Sequence, residues 1–504
     1  MADIGYTFGY YTELNPLRVK LAFLDAGLLA PETGNACELG FGQGLSANMH
    51  AAATLTQWCG TDFNPAQASF AQELVNVSGS QARLYDQAFA EFASRSDLPD
   101  FDYIGLHGIW SWISDANRAV IVDFIRRKLK VGGVLYISYN TQPGWASFAP
   151  MRHLMTEHAD AMGASGAGIL NRVDGALDFC DKLLATNPGF ARANPVVVEK
   201  MKALKAHNRH YLAHEYFNRD WLPMHFATMA QWLEPAKITF ACSANYLDHL
   251  DAVNLSPDQQ VLLKTIPDPV FRETVRDFMT NIQFRKDYWV KGARRLSIPE
   301  QGQALRAQRV MLSTDRSDVS LKVTGAQGEA ALHEAVYNPV LDALADHKPK
   351  TLAQLEQALK DKSITFAQLA QSVIVLAGIG HLYAVQDAAM TVKARKQTDK
   401  LNAYLIEKAQ NGGDISYLAS PVTGGGITVG RFQQLFLLAI SQGKKQPSDW
   451  AQFVWSVLQS QNQKIVKEGK TLDNAEDNLA ELNAQATAFA QKQLPILKAL
   501  QIAG

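Results

Sequence analysis

The apolar positions of the first 150 residues fall into short continuous runs, separated by stretches in which they recur every three or four residues. The runs "NACEL", the stretch reaching Asp62, "ARLYD", "FDYIGLHG" and "GGVLYISYN" predict five buried strands. Residues 18–30, "LSANMHAAAT", the segment opened by Asn64–Pro65 and "AVIVDFIRRKL" predict the helices between them. The first helix is expected to end near Gly27, and the fifth strand to begin through Gly132–Gly133. Strand and helix alternating at this rhythm predict an α/β fold, a parallel sheet with helices on its faces. Such sheets bind ligands beyond the carboxyl ends of their strands. Glu38, Asp62, Asp86, His107 and Asn140 all fall at such ends.

The pattern then changes. Residues 150–235 are mostly helical in period, including "HLMTEHADAMGA" at 153–164. "AKITFACSAN" reads as a late strand completing the sheet, and "PDPVFRETVRDFMTNIQFRKDYWVKG" as a charged helix leading into another strand. After about residue 301, a polar strand region, "STDRSDVSLKVTG", precedes short helices that suggest helix–turn–helix or winged-helix packing. "SVIVLAGIGHLYAVQDAAM" comes nearest to a membrane span, but His381 and Asp387 break it, and a buried helix is expected. Gly424–Gly426 lack the context of a phosphate loop and read as a hinge. The last 36 residues read as one long polar helix, able to pack on a neighbour or a second subunit. This gives four parts: 1–150, 151–235, 236–300 and a mainly helical 301–504.

Composition narrows the choice. A chain of 504 residues is too long for one ordinary core. Its 47% hydrophobic and 19% charged content is that of a globular protein. A net charge of −1 gives no global attraction to nucleic acid or anionic membrane. The four cysteines form no CxxC and are expected to be buried and reduced. "MADIGYTFGYYTELNP" has neither the basic start nor the apolar run of a secretory signal, so a cytoplasmic protein is expected.

The densest chemistry lies in "NACELGFGQGLSANMHAAA". Two registers compete. Gly42, Gly44 and Ala47 fit the weaker dinucleotide fingerprint, with Asp62 near the place of the ribose-binding acid. That register leaves Gly40 surplus and Glu38 idle. Glu38-x-Gly40-x-Gly42-x-Gly44 instead resembles motif I of class I S-adenosylmethionine-dependent methyltransferases. In that register the glycines would let the loop pass under the ligand, where a Cβ would collide. Asp62 would accept from the ribose hydroxyls with Phe63 beside it, and Asp86 would sit by the adenine amine. Glu38 would orient the loop or hold the ligand's cationic end. His210 and His214 share a helix face, but no third ligand is evident and no metal site is expected.

"FDYIGLHGIWSWIS" and "GGVLYISYNTQPGW" carry a more specific resemblance. They are similar to the "HGxxSW" and "SYNTxPGW" of bacterial protein lysine methyltransferases with a methyltransferase regulatory domain, known from rickettsial enzymes acting on outer-membrane protein. "LAHEYFNRDWLPMHF" and "DPVFRETVRDFMTNIQFRKDYWVKG" extend the likeness, which covers roughly residues 5–300. The resemblance implies a Rossmann-like class I methyltransferase sheet with a helical middle insertion and a mainly helical C-terminal domain. It implies S-adenosylmethionine as cofactor and a protein lysine as acceptor. The acceptor amine must be neutral, and aromatic rings suit its methylenes and the cationic centre. Tyr10 and Tyr11 lie on an arm that could fold over the cofactor. Trp112, Tyr139 and Trp145 stand near strand ends, Asn140 and His107 offer polar contacts, and His214 is expected at the channel rim. Tyr10 and His107 are also expected at the cofactor. Alternatives with the same sheet are a small-molecule methyltransferase and a cofactor-binding pseudo-enzyme. A protein substrate is expected, without nucleic acid or membrane insertion, and homodimerisation is left open.

Overall fold

The computed structural model describes residues 7–163, 166 and 168–503. The first six residues, part of the stretch read as unlike a signal, lie outside these, as does Ala164 at the end of the expected helix 153–164.

The central sheet is built from β1 (Asn35–Leu39), β2 (Gln57–Thr61), β3 (Arg83–Tyr85), β4 (Phe101–Leu106), β5 (Leu129–Asn140), β6 (Thr239–Ser243) and β7 (Phe284–Val290). Their spatial order is β3-β2-β1-β4-β5-β7-β6. The first five pair in parallel, and β7 is inserted antiparallel between β5 and β6. This is the expected Rossmann-like class I methyltransferase sheet.

Helices α1 (Pro16–Asp25), α2 (Leu45–Ala53), α3 (Pro65–Ser78), α4 (Phe89–Ser94) and α5 (Asp115–Lys128) belong to it. Local chemistry sets their starts. Asn15 and Asn64 each accept an amide two residues on, and a proline follows each cap. The cap at Asn15 starts α1 at Pro16, and the helix stops at Asp25, just before Gly27 turns the chain at φ +71°. β5 begins at Leu129, before Gly132–Gly133: Phe101 pairs with Leu129 and Tyr103 with Val134, so the β5 residues between bulge out of the β4 ladder.

Both sheet faces are buried. Cys37, Ile104, Leu135, Ile137 and Tyr139 pack on one side with α5 and the helix Phe226–Leu233. Ala36, Trp58, Tyr103, Tyr136 and Tyr288 pack on the other with α1. That second core runs on into the C-terminal region through Val310, Leu341, Val373 and Leu376. The helices between Ala149 and Tyr216 carry a core of their own, with Met155, Leu177, Met201 and Leu212.

Three expectations for the C-terminal region change. Residues 372–390 are not one helix. A helix ends at Gly378, a turn uses Gly380 at φ +85°, and Leu382–Val385 is a strand. This strand joins Arg309–Leu312 and Lys350–Thr351 in an antiparallel sheet, and the helix Phe366–Gly378 packs into the core shared with α1. Gly424–Gly426 are not a hinge. They belong to a buried hairpin, Tyr417–Ser420 with Gly425–Thr428. The chain end is not one helix. A short hairpin, Val466–Thr471, precedes the helix Ala475–Ala488, whose stripe of Leu482 and Ala486 is covered within the same chain. Among the described residues, no helix is long and apolar enough to cross a membrane. All four cysteines are buried and free.

A buried charge cluster locks β5 to β7. The Arg285 guanidinium meets Asp287 at 2.9 Å, Asp277 at 2.5 Å and Glu273 at 3.2 Å. The Tyr139 hydroxyl donates to Asp287 at 2.8 Å. Burial, helped by the neighbouring Asp287, pushes the Asp277 carboxyl up to about 7 against the pull of Arg285. Removing the one cation would leave buried carboxylates without compensation. Arg285→Leu is expected to cost about 3–5 kcal/mol in urea denaturation. Adding Asp277→Asn and Asp287→Asn should recover part of the loss; no recovery would show that the guanidinium acts through packing alone.

Candidate functional site

The glycine loop joins β1 to α2. Gly40, Gly42 and Gly44 have φ of +72°, +56° and +69°, which only glycine adopts readily. At two of them the protein itself forbids a side chain. A Cβ on Gly40 would lie 2.4 Å from Ile109, and one on Gly44 2.5 Å from Ala71. Packing and φ therefore explain these glycines before any ligand is considered.

Asp62, just past β2, braces the loop. Its two oxygens accept from the amides of Gly42 and Asn64, both at 2.9 Å. Burial raises the Asp62 carboxyl, and these two amides oppose the rise. Glu38 is only 2% exposed, and its Oε2 has no hydrogen-bond partner. Burial first, then the charge of Asp62, pushes it up to about 8. Phe63 is 69% exposed, and Asp86 is exposed beyond β3. Both stand at strand ends beside the loop, open to solvent.

A cavity of about 390 Å³ opens at the ends of β4 and β5. Tyr11, His107, Trp112, Asn140 and Trp145 line it, together with Tyr211, Glu215, Tyr216, Gln283 and Phe284. The two sequence motifs build its floor by bonding to each other. The Gly108 amide donates to Ser138 Oγ at 2.8 Å, and the Asn140 amide to Ser111 Oγ at 2.8 Å. The Trp145 indole donates to the Gln283 carbonyl at 2.9 Å. Gly144 is required by close approach, since a Cβ there would fall 2.1 Å from the Ile282 carbonyl oxygen.

His107 stacks on Tyr11, centroids 3.5 Å apart, and its Nδ1 meets the Tyr136 hydroxyl at 2.7 Å. Burial holds His107 down at about 3, so it is neutral at physiological pH. Burial, then the charges of Glu38 and Glu215, raises the Tyr11 hydroxyl. The arm carrying Tyr11 is pinned by Glu13, which meets Lys286 at 2.6 Å. Burial would raise Glu13, but Lys286 and Arg18 overcome it and hold the carboxyl at about 2.

Three expected site residues lie elsewhere. Tyr139 points to the opposite sheet face, fully buried on Asp287. Tyr10 is buried among Tyr417, His50 and Met49 in the core that includes the C-terminal hairpin. His214 lines a neighbouring cavity of about 340 Å³, which shares Thr7 and Tyr211 with the first. Among the described residues, no cluster of His, Cys, Asp or Glu could hold a metal ion. Sequence reasoning missed the cavity roles of Tyr211, Glu215, Tyr216, Gln283 and Phe284. "LAHEYF" and "TNIQF" were the available signal, but their closeness to β5 is a tertiary fact.

Residues 208–291 match the model of the predicted methyltransferase regulatory domain. That segment contributes Tyr211, Glu215, Tyr216, Gln283 and Phe284 to the cavity. An uncharacterized Synechocystis protein is 41% identical over 505 residues, spanning 99% of this chain and 98% of its own. The chain belongs to this family, which carries the regulatory domain. A Rickettsia prowazekii protein is 26% identical over 294 residues, covering 56% of this chain and 51% of that protein. The solved structure of PKMT2 from Rickettsia typhi in complex with AdoHcy superposes with a TM-score of 0.70 at 15% identity, covering 99% of both chains. It shares the fold from end to end.

In this family member the C-terminal region buttresses the site. Asn15 Nδ2 donates to the Thr423 carbonyl at 2.9 Å. His50 Nδ1 lies 3.1 Å from the Gly424 carbonyl, and must carry the proton there because a carbonyl only accepts. A Cβ on Gly425 would meet Tyr10 at 2.3 Å and His50 at 3.0 Å. Gly425→Val is expected to lower the denaturation midpoint by an amount equivalent to about 1–3 kcal/mol. It should also change the fluorescence of Tyr and Trp near the cavity. An unchanged midpoint would show that the hairpin does not press on the arm.

Proposed function

We propose that the protein binds S-adenosylmethionine at the glycine loop and methylates an amine, the side chain of a protein lysine. The observation that carries this reading is the cavity beside the loop, walled by aromatic rings and by polar groups of which the histidine is neutral. The residues fit the cofactor. Glu38 offers a buried oxygen with no partner, and Asp62 keeps lone pairs beyond the two amides it holds. Phe63 and Asp86 would flank the adenine end.

Bound there, the cofactor supplies an electrophilic methyl group on a sulfonium. The chain's own residues do the rest by alignment and exclusion. Tyr11, Trp112, Trp145 and Tyr216 enclose the methylenes of a lysine and keep water from the reacting nitrogen. Asn140 orients the amine. His107, neutral and tied to Tyr136, adds no competing positive charge. Glu215 attracts the incoming ammonium, which must shed its proton before reaction.

The test is transfer of labelled methyl from S-adenosylmethionine into proteins of a cell lysate, with the label found on lysine after hydrolysis. Label in low-mass material only would replace the lysine by a small-molecule acceptor. Asn140→Ala should lower transfer about 10- to 100-fold while leaving S-adenosylhomocysteine affinity unchanged. Equal losses in both would move Asn140 to the cofactor.

Glu38 gives an independent check. Its pKa of about 8 makes it a neutral acid at pH 7 without ligand. A cationic group brought beside it favours the carboxylate, lowers that pKa and expels the proton. Titration with S-adenosylhomocysteine at pH 7 is expected to release about one proton. The release is read from binding heats in buffers of different ionisation enthalpy. Glu38→Gln should abolish it, and wild-type binding without release would remove Glu38 from the ligand.

A further inference from the structure

The helical insertion delivers one of its own lysines to the wall of the aromatic cavity. Lys200 lies on the helix Val196–Lys205. Its Nζ sits 4.0 Å from the centroid of the Trp145 ring and 4.6 Å from that of Phe148. It donates to Gln283 Oε1 at 3.2 Å. Trp145 and Gln283 both line the cavity. A ring face and a side-chain carbonyl thus already grip a lysine ammonium at the edge of the space proposed for the acceptor.

The environment also changes this amine. Burial lowers Lys200 from 10.5 to about 8. At pH 7 an ordinary lysine is about 0.03% neutral, whereas one near 8 is about 10% neutral. Partial removal from water disfavours the charged form, and that is the reason for the shift. No carboxylate pairs with Lys200 among the described ion pairs, whereas its helix neighbour Lys202 pairs with Glu199 at 2.9 Å.

We propose that Lys200 is a self-methylation site, a lysine of this chain that takes a methyl group in the cavity its own insertion helps to wall. The inference rests on the methyltransferase reading above. In the step, the Nζ lone pair forms the N–CH3 bond as the S–CH3 bond breaks. The electron pair of that bond returns to sulfur, turning the sulfonium into a thioether, and the nitrogen's surplus proton leaves to solvent. Rotation about the lysine side-chain bonds moves the amine from the Trp145 face toward the cavity. Methylation keeps the charge and enlarges the cation, so the product grips the aromatic faces more firmly than the parent ammonium.

The experiment uses the full chain in three measurements. First, a dilute acylating reagent is applied at pH 7 without cofactor, and peptides are read by mass spectrometry. Lys200 should label several-fold faster than Lys445, an exposed surface lysine. Slower labelling would overturn the reactive-amine argument. Second, the protein is incubated with S-adenosylmethionine. One to three methyl increments are expected on the Lys200 peptide, at a rate independent of protein concentration and absent in Lys200→Arg. Third, S-adenosylhomocysteine binding is titrated on the same preparation. Binding with no methyl on the Lys200 peptide overturns this proposal and leaves the methyltransferase reading standing. No binding removes both. If Lys200→Arg is misfolded, Lys200→Met serves, with retained S-adenosylhomocysteine affinity as the folding control.

Discussion

One carbonyl oxygen, that of Gln283, fixes the geometry on which the cavity depends. It accepts the Thr141 amide at 3.0 Å and the Trp145 indole at 2.9 Å. Those two bonds fold the loop after β5 back onto the start of β7, so tightly that residue 144 has no room for a Cβ. The same turn of chain presents Gln283 and Phe284 to the cavity. The antiparallel insertion of β7 is therefore more than a sheet-closing device. It carries the regulatory segment into the site, and the buried Arg285 cluster two residues on resists any slip in its register. A slip of one residue would send the Arg285 side chain to the other face.

Around that fixed frame, burial without full pairing sets the charges. His107 and His50 are held neutral, by burial in both cases, at about 3 and about 4. Glu38 is held as an acid near 8. Each would cost several kcal/mol if forced to ionise where it stands. A site with a neutral imidazole and a poised carboxyl offers little resistance to a cationic visitor and can answer it by releasing a proton. Glu13 is the contrast. Its partner Lys286 is within 2.6 Å, its carboxyl stays charged, and its role is to hold the arm.

Much of this was legible in the chain itself. "NACEL" is a strand over the residues its apolar run marks, and the Asn–Pro cap starts α3 where the sequence says. The cavity motifs were legible too, because "HGIWSW" and "SYNTQPGW" follow strands. Tyr139 could have been sorted correctly by period-two alternation. Leu135, Ile137 and Tyr139 face one side, while Tyr136 faces the other with His107. What one sequence could not reveal is contact between distant segments. Asn15 and Thr423, 408 positions apart, carry no local sign of each other. Nor does the glycine run at 424–426 announce that its missing side chains make room for Tyr10 and Met49. In isolation such a run reads as freedom, and in the fold it is close packing.

That close packing also gives the C-terminal region a physical reason to be there. The sheet holds the arm bearing Tyr11 from one side, through Lys286 and the Tyr288 hydroxyl on Glu13. The hairpin Tyr417–Thr428 covers Tyr10, the cap residue Asn15 and the far end of α2 at once. It thereby clamps both ends of the stretch that places Tyr11 over His107. Because α2 starts at the glycine loop, pressure on its far end also reaches the loop as a rigid element. The C-terminal region needs no residue in the cavity to influence it: loosening the hairpin would free the arm and the loop together.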